Sequence, residues 1–314
     1  MCSSDLSRGL LGRRPPVRAL DGVSLEVLEG ETLAVVGESG SGKSTLARTL
    51  LRLVPATSGR VLFQGEDVLA LEREPLRALR RKMQIAFQDP SGALNPRMSV
   101  GQAIAEGIEI HRLVPAAEIP GRVAELMQEV GLDPGAAMRY PREFSGGQRQ
   151  RVGIARALAV GPTFLVLDEP VSALDVSVQA QVLNLLLELQ RRRGLAYLFI
   201  AHDLAVVRQV AHRIAVMYAG RIVETGPTDE LLAHPRHPYT RALLSAAPEP
   251  DPKARVDRVI LPGEPPDPTR LPSGCRFHPR CPHPARDARC EADMPLLRPI
   301  GGSLVACHHA TSDG

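Results

Sequence analysis

Apolar positions along the 314-residue chain follow two spacings. Residues 17–29 and 59–69 alternate apolar with polar positions and are bounded by glycine turns, the pattern of antiparallel strands with one covered face. The runs 32-TLAVVG-37, 164-FLVL-167 and 195-LAYLFIA-201 are short and unbroken, as in strands buried on both faces. Between the last two, Val178, Val182, Leu185, Leu186 and Leu189 recur on one face of a predicted helix. Ser177 stands where an N-cap belongs, Arg191, Arg192 and Arg193 fill the last turn, and Gly194 stands at the C-cap. Strand, helix, strand in this order predicts parallel pairing through right-handed crossovers. Residues 72–160 read as mostly helical, with breaks at Asp89-Pro90, Asn95-Pro96, Val114-Pro115 and Tyr140-Pro141. From Pro235 to Pro299 proline becomes dense and periodicity fades, which sets a domain boundary near residues 235–250. The segment beyond is too poor in apolar residues to hold a large core of its own.

Composition narrows the class. A net charge of +3 is too small to argue for nucleic acid or anionic lipid as a partner. The apolar runs are too short to span a bilayer, and the N-terminus carries no secretory signal pattern. A cytoplasmic chain is therefore expected, in which a disulfide framework is not. Basic residues are mostly arginine; the lysines are Lys43, Lys82 and Lys253, which makes the position of Lys43 informative. The opening MCSSDL continues no downstream pattern and resembles the translated end of a sequencing adapter. Residues 1–16 are accordingly expected to be disordered or artefactual, with a native first strand missing, residues 17–235 to form one domain, and residues 236–314 a second.

Three motifs carry chemistry. The stretch 37-GESGSGKST-45 follows a predicted strand and opens a predicted helix, as a phosphate-binding loop does. Gly37, Gly40 and Gly42 let the backbone of residues 37–45 (Glu38, Ser39, Ser41 and Thr45 included) fold into a nest of N–H donors. Lys43 adds a charge for the β- and γ-phosphates, and Ser44 a hydroxyl ligand for Mg²⁺. In 164-FLVLDEP-170 a buried strand ends in two carboxylates at the sheet edge where open α/β folds bind ligands. Adjacent residues on an extended segment point opposite ways, so Asp168 is assigned to Mg²⁺ and Glu169 to general-base duty. The run 144-FSGGQRQRVGIARAL-158 is a second small-residue loop opening a helix, a second phosphate-binding device in one chain.

Together with 200-IAHD-203, these motifs in this order resemble the nucleotide-binding subunit of an ABC transporter, over nearly all the chain after residue 17. The resemblance implies an α/β fold: a P-loop ABC-type nucleotide-binding domain with a mixed sheet core, an antiparallel β subdomain and a helical subdomain, followed by a small cysteine-containing domain. It implies ATP and Mg²⁺ as cofactors, Gln88 as the Q-loop glutamine on Mg²⁺, and Ser145, Gly146, Gly147 and Gln148 as the signature. Ser172, Ala173, Leu174 and Asp175 match the D-loop, and His202 the switch histidine. One family feature is missing: no aromatic residue precedes Phe63 to stack on adenine. Because the family's signature closes over ATP held by another subunit, the resemblance implies a second ATPase subunit, two integral membrane permeases and, indirectly, an extracytoplasmic solute-binding protein, with no nucleic acid. The chain would then sit peripherally on the cytoplasmic face of the plasma membrane. The stretches 89-DPSGALNPRMSV-100, 237-HPYTRALLSAAPEPDP-252 and 275-CRFHPRCPHP-284 resemble the oligopeptide/dipeptide/nickel importer ATPases. A nickel or other small-solute importer, or a soluble non-transport ABC ATPase, is the alternative.

Cys275, Cys281, Cys290 and Cys307 have the spacing of neither a zinc finger nor a ferredoxin. A tail short of apolar residues needs a staple, and zinc or a [4Fe–4S] cluster each accepts four cysteines. The resemblance to peptide-importer ATPases favours the cluster. His278, His283 and His308 are adjacent and would substitute for a cysteine at zinc.

Overall fold

The alternating run at residue 17 and the unbroken run at residue 32 both become strands. The computed structural model describes residues 2–6, 17–246 and 259–312. These form two compact units, one from the described parts of Met1–Glu26, Leu33–Ala70 and Ala201–Gly314, the other from Val27–Thr32 and Leu71–Ile200.

In the first unit, β1 (Cys2–Leu6) runs antiparallel to β2 (Val17–Val23), with Leu6 opposite Val17, and also pairs with β4 (Ser58–Gly59). Residues 2–6, part of the stretch expected to be disordered or artefactual, thus take strand positions. A ladder is made by backbone groups alone, so a segment without apolar alternation can still form one. Residues 7–16 lie outside the described residues. β2 stops at Val23, and the expected 59–69 strands reduce to the end of β4 and a small hairpin, β5 (Leu62–Phe63) with β6 (Glu66–Asp67).

β3 (Thr32–Val36) is buried along its whole length, as an unbroken apolar run should be, and α1 (Lys43–Leu50) follows it. β3 lies parallel to β10 (Arg213–Tyr218), and β10 turns tightly into antiparallel β11 (Arg221–Pro227). That hairpin was not anticipated. Its two loop residues, Ala219 and Gly220, have φ of 44° and 82°, as a two-residue turn between right-twisted strands requires, but Ala-Gly is a weaker turn signal than Asn-Gly. The helices α8 (Leu204–Val210), α9 (Thr228–Ala233) and α10 (Pro238–Ala246) follow in the same unit.

The tail does not cluster apart from this unit. After α11 (Ala288–Ala292) come β12 (Arg298–Ile300) and β13 (Ser303–Val305), and β13 extends the sheet beyond β11. Ile300, Val305 and Ala310, with Cys307 against them, form a local apolar cluster in the tail. A segment so short of apolar residues gains its burial by docking on an existing sheet edge. Of the expected 235–250 boundary, residues 247–250 lie outside the described residues, as do residues 251–258 after it.

The second unit holds the parallel strands β7 (Met83–Ala86), β8 (Phe164–Asp168) and β9 (Ala196–Ala201), with β8 in the middle. β7, preceded by α2 (Arg73–Lys82), is a strand that the mostly helical reading of residues 72–160 did not single out: four residues are too few to show a period. The rest of that stretch is helical, in α3 (Pro90–Ala93), α4 (Val100–His111), α5 (Ile119–Glu129) and α6 (Gly146–Leu158), separated at the predicted proline breaks. α7 (Val176–Arg193) buries Val182, Leu185, Leu186 and Leu189 and ends at left-handed Gly194. Its N-cap is Asp175, so Ser177 sits inside the first turn rather than capping it. Gln190, also buried, donates its amide to Gly30 O and Thr32 Oγ1, tying α7 to the start of β3. Among the described residues, no helix is long and apolar enough to cross a membrane.

Candidate functional site

In the first unit the phosphate loop is wrapped around its own lysine. Lys43 is buried, and its Nζ donates to Gly37 O at 2.7 Å and Glu38 O at 2.9 Å. Gly42 is the N-cap of α1 with φ 108°, and Leu46 N–H donates back to its carbonyl. Neighbouring strands press on the loop: Gly220 N–H donates to Ser41 O, and a methyl added at Gly37 would meet Met217 O at 2.1 Å. Ser39 and Gly40 are exposed, and Ser44 and Thr45 are half-buried in the first turn of α1. Glu38, in the same loop, has contacts with the tail. Its N–H donates to Tyr239 Oη at 2.8 Å, and its carboxylate receives Arg280 in a two-pronged pair at 2.8 and 3.3 Å. Bonds to Glu38 and Tyr218 raise the Arg280 pKa, although burial opposes its charge. His202 is exposed, directly after β9 and before α8, whose N-cap Asp203 accepts from Ala205 N–H.

In the second unit β8 carries both predicted carboxylates. Asp168 is buried and stands opposite Ile200 of β9 in the ladder. Glu169 leaves the strand in the left-handed region, φ 47°, a conformation that is costly for a residue with a Cβ and is concentrated at functional sites. Three contacts hold it there: its N–H donates to Ile200 O, Ser172 Oγ donates to its carbonyl, and its carboxylate accepts from Gln88 Nε2 at 2.8 Å. Gln88, the candidate Q-loop glutamine, is thus in contact with the candidate base.

The signature forms a capping box. Ser145 Oγ accepts from Gln148 N–H, and Gln148 Oε1 accepts from Ser145 N–H at 2.9 Å. Both side chains are exposed at the N-terminal end of α6. Glycine is needed beside them: a methyl at Gly147 would lie 2.3 Å from Val178 Cγ1. One cleft in this unit is lined by Gln88, Asp89, Gly146, Arg149, Ser172 and Leu174, which brings Q-loop, signature and D-loop together. Asp175, the last D-loop residue, is exposed at the start of α7.

The four tail cysteines converge. Cys290 is buried and the other three half-buried, and Cys275 N–H donates to Cys290 O. Burial first, then the charges of Cys307, Cys281 and Cys290, push the Cys275 thiol up to about 11 against the pull of the Phe277 amide. Burial and neighbouring cysteines likewise raise Cys281 and Cys307. Among the described residues, a tight three-ligand group comprises Asp287, Cys290 and His309, within 4.8 Å of one another. The histidine in this group is His309, not His278, His283 or His308. His309 also meets Asp287 Oδ1 at 3.4 Å and stacks on His283. Sequence reasoning missed Asp287 and His309, and also Tyr239 and Arg280, whose partner Glu38 lies in a distant part of the chain.

Comparisons with known proteins agree with this geometry. The family described as "ABC transporter" matches residues 20–172, and the "Oligopeptide/dipeptide transporter, C-terminal region" matches residues 223–290. The chain is 56% identical over 296 residues to a probable peptide ABC transporter ATP-binding protein, y4tS, of Sinorhizobium fredii, spanning 94% of this chain and 83% of the relative. It is 49% identical to the di/tripeptide transport ATP-binding protein DppF of Pseudomonas aeruginosa, over 98% of this chain and 94% of the relative. Among solved structures, it resembles cbiO1 from Clostridium perfringens, part of an ABC transporter complex, with TM-score 0.64 and 30% identity over 74% of this chain and 90% of the other. It also resembles the ATP-binding cassette MJ0796 bound to ADP and Pi as a dimer, with TM-score 0.65 and 29% identity over 72% of this chain and 96% of the other. A phosphate loop on a buried strand, a strained glutamate after a second one, a capping-box signature and the matched tail together make the chain an ATPase that belongs to the ATP-binding subunits of the oligopeptide/dipeptide ABC transporter family.

Proposed function

We propose that this chain energises peptide import by binding and hydrolysing ATP with a second ATPase subunit against two membrane permeases, on the cytoplasmic face of the plasma membrane. The observation that carries this reading is that the ABC match and the oligopeptide/dipeptide C-terminal match fall on one chain. Lys43 and the 37–45 backbone hold the phosphates, and Glu169 directs the attacking water, with His202 assisting. Ser44, Asp168 and Gln88 would hold Mg²⁺, which neutralises charge on the phosphates. One phosphate loop and one signature make half of each of two sites, so Ser145, Gly146, Gly147, Gln148 and Asp175 serve ATP bound by the partner subunit. The test is ATP hydrolysis by the assembled transporter in proteoliposomes. Stimulation by peptide-loaded binding protein is expected. Stimulation by nickel-loaded and not by peptide-loaded binding protein would overturn the peptide reading.

We infer that Cys275, Cys281, Cys290 and Cys307 ligate a [4Fe–4S] cluster that crosslinks the tail. Buried Cys290 and the half-buried Cys275, Cys281 and Cys307, whose thiols burial pushes up, fit a cationic centre better than they fit free thiols. Tetrahedral zinc would draw the sulfurs to roughly 3.8 Å from one another. The close group in this tail has a single cysteine, in Asp287–Cys290–His309. Anaerobic purification is expected to yield about four iron per chain and a broad absorbance near ~400 nm. Stoichiometric zinc without iron would replace the cluster by zinc.

A further inference from the structure

The phosphate loop is held from outside as well as from within. The Gly37–Glu38 peptide is engaged on both of its polar atoms. Its C=O accepts from Lys43 Nζ at 2.7 Å, and its N–H donates to Tyr239 Oη at 2.8 Å. A peptide plane pinned at both ends cannot rotate without losing both bonds. The next carbonyl, Glu38 O, is the second acceptor for Lys43. The Glu38 side chain is fixed by the two-pronged pair with Arg280. The loop's lysine is therefore held by two successive carbonyls, Gly37 O and Glu38 O, and the peptide and side chain of Glu38 are in turn held by two side chains from the C-terminal region.

Those two side chains are themselves immobilised. The Tyr239 ring is buried and packs edge-on to Tyr218 at 4.6 Å and against Phe277 at 5.4 Å, and its own N–H donates to His237 Nδ1. Burial pushes His237 down to about 3, which keeps it a neutral acceptor. Arg280 also donates to Tyr218 Oη and Pro262 O. The short loop from Cys275 to Cys281 carries Arg276, Phe277 and Arg280. Arg276 reaches Ala219 O at the β10–β11 turn and pairs with Asp21 of β2. The same turn donates Gly220 N–H to Ser41 of the phosphate loop.

We propose that Tyr239 and Arg280 are positioning residues for ATP binding: they hold the Gly37–Glu38 peptide in the orientation that aims Lys43 at the phosphates. Neither is assigned a contact with nucleotide. The C-terminal region is thus a second support of the phosphate loop, and its effect is read in ATP affinity.

The experiment measures KM and equilibrium Kd for Mg-ATP, kcat and thermal midpoint on the purified full chain. Tyr239→Phe, which removes a single oxygen, is expected to raise Kd and KM about fivefold with kcat little changed, the range of one lost neutral hydrogen bond. Arg280→Met is expected to raise them about tenfold, as for a contacting pair. In a Glu38→Ala background, Arg280→Met should add less than about twofold, because its partner is already gone. A merely structural tail would instead lower the thermal midpoint and kcat with KM unchanged, and that result overturns the proposal. So does an Arg280→Met penalty of the same size with and without Glu38. If Arg280→Met fails to fold, Tyr239→Phe alone decides: wild-type Kd sinks the proposal.

Discussion

A Glu169→Gln chain should bind ATP as well as the parent and hydrolyse it on the order of 10²–10⁴-fold more slowly, the usual contribution of a positioned general base. The substitution is nearly isosteric. The amide carbonyl oxygen of the new side chain would still accept from Gln88 Nε2, and the backbone bonds, from residue 169 N–H to Ile200 O and from Ser172 Oγ to its carbonyl, do not involve the side chain. The left-handed turn at φ 47° is therefore kept, and only the proton-accepting carboxylate is lost. The strain itself points to this residue: a conformation costing about 1–3 kcal/mol persists only where surrounding contacts over-determine it. Single-turnover hydrolysis and a nucleotide-binding titration on the same preparation separate the two effects. Hydrolysis within about threefold of the parent rate, far short of the loss expected for a general base, would remove Glu169 from that role.

The site motifs were legible in the sequence because their chemistry is local. The glycines of 37-GESGSGKST-45, the lysine after them and the Ser145–Gln148 capping box each work within a few residues. The long helix α7 was legible for a similar reason, since successive turns of one-sided apolar spacing repeat the same message. Its N-cap was misplaced because Ser177 and Asp175 are equally acceptable chemically, and the choice rests on packing. β7 escaped because so short a strand after a basic helix end carries no period, and the β10–β11 hairpin because its turn lacks the usual Asn or Asp. The supports of Glu38 were invisible for a different reason. Tyr239 and Arg280 stand 201 and 242 residues away along the chain, and neither has a local pattern to mark it. The cysteines were visible as a set, yet their histidine neighbour was misjudged: only the fold brings His309 rather than His308 to Cys290 and Asp287.

Gly42→Ala is expected to abolish useful ATP binding, weakening it by ~10²-fold or more, while every phosphate-binding side chain stays in the sequence. Two costs act together. At φ 108° an alanine pays backbone strain of about 1–3 kcal/mol. Its Cβ would also lie 2.4 Å from Ala19 O and 2.9 Å from Met217 Cε. The methionine end can swing aside, but the Ala19 carbonyl is backbone of β2 and cannot, so the loop must move instead. Lys43 is the next residue, and displacement of Gly42 carries its Nζ away from Gly37 O and Glu38 O. Gly30→Ala isolates the strain term, because Gly30 has φ 68° and nothing within 4 Å of an added Cβ. That variant should lose some thermal stability and bind ATP normally. Titration of both variants with Mg-ATP, alongside their melting temperatures, checks the argument. If Gly42→Ala binds ATP as Gly30→Ala does, the close approach of Ala19 does not fix the loop, and the aim of Lys43 depends on Glu38 and its tail supports alone.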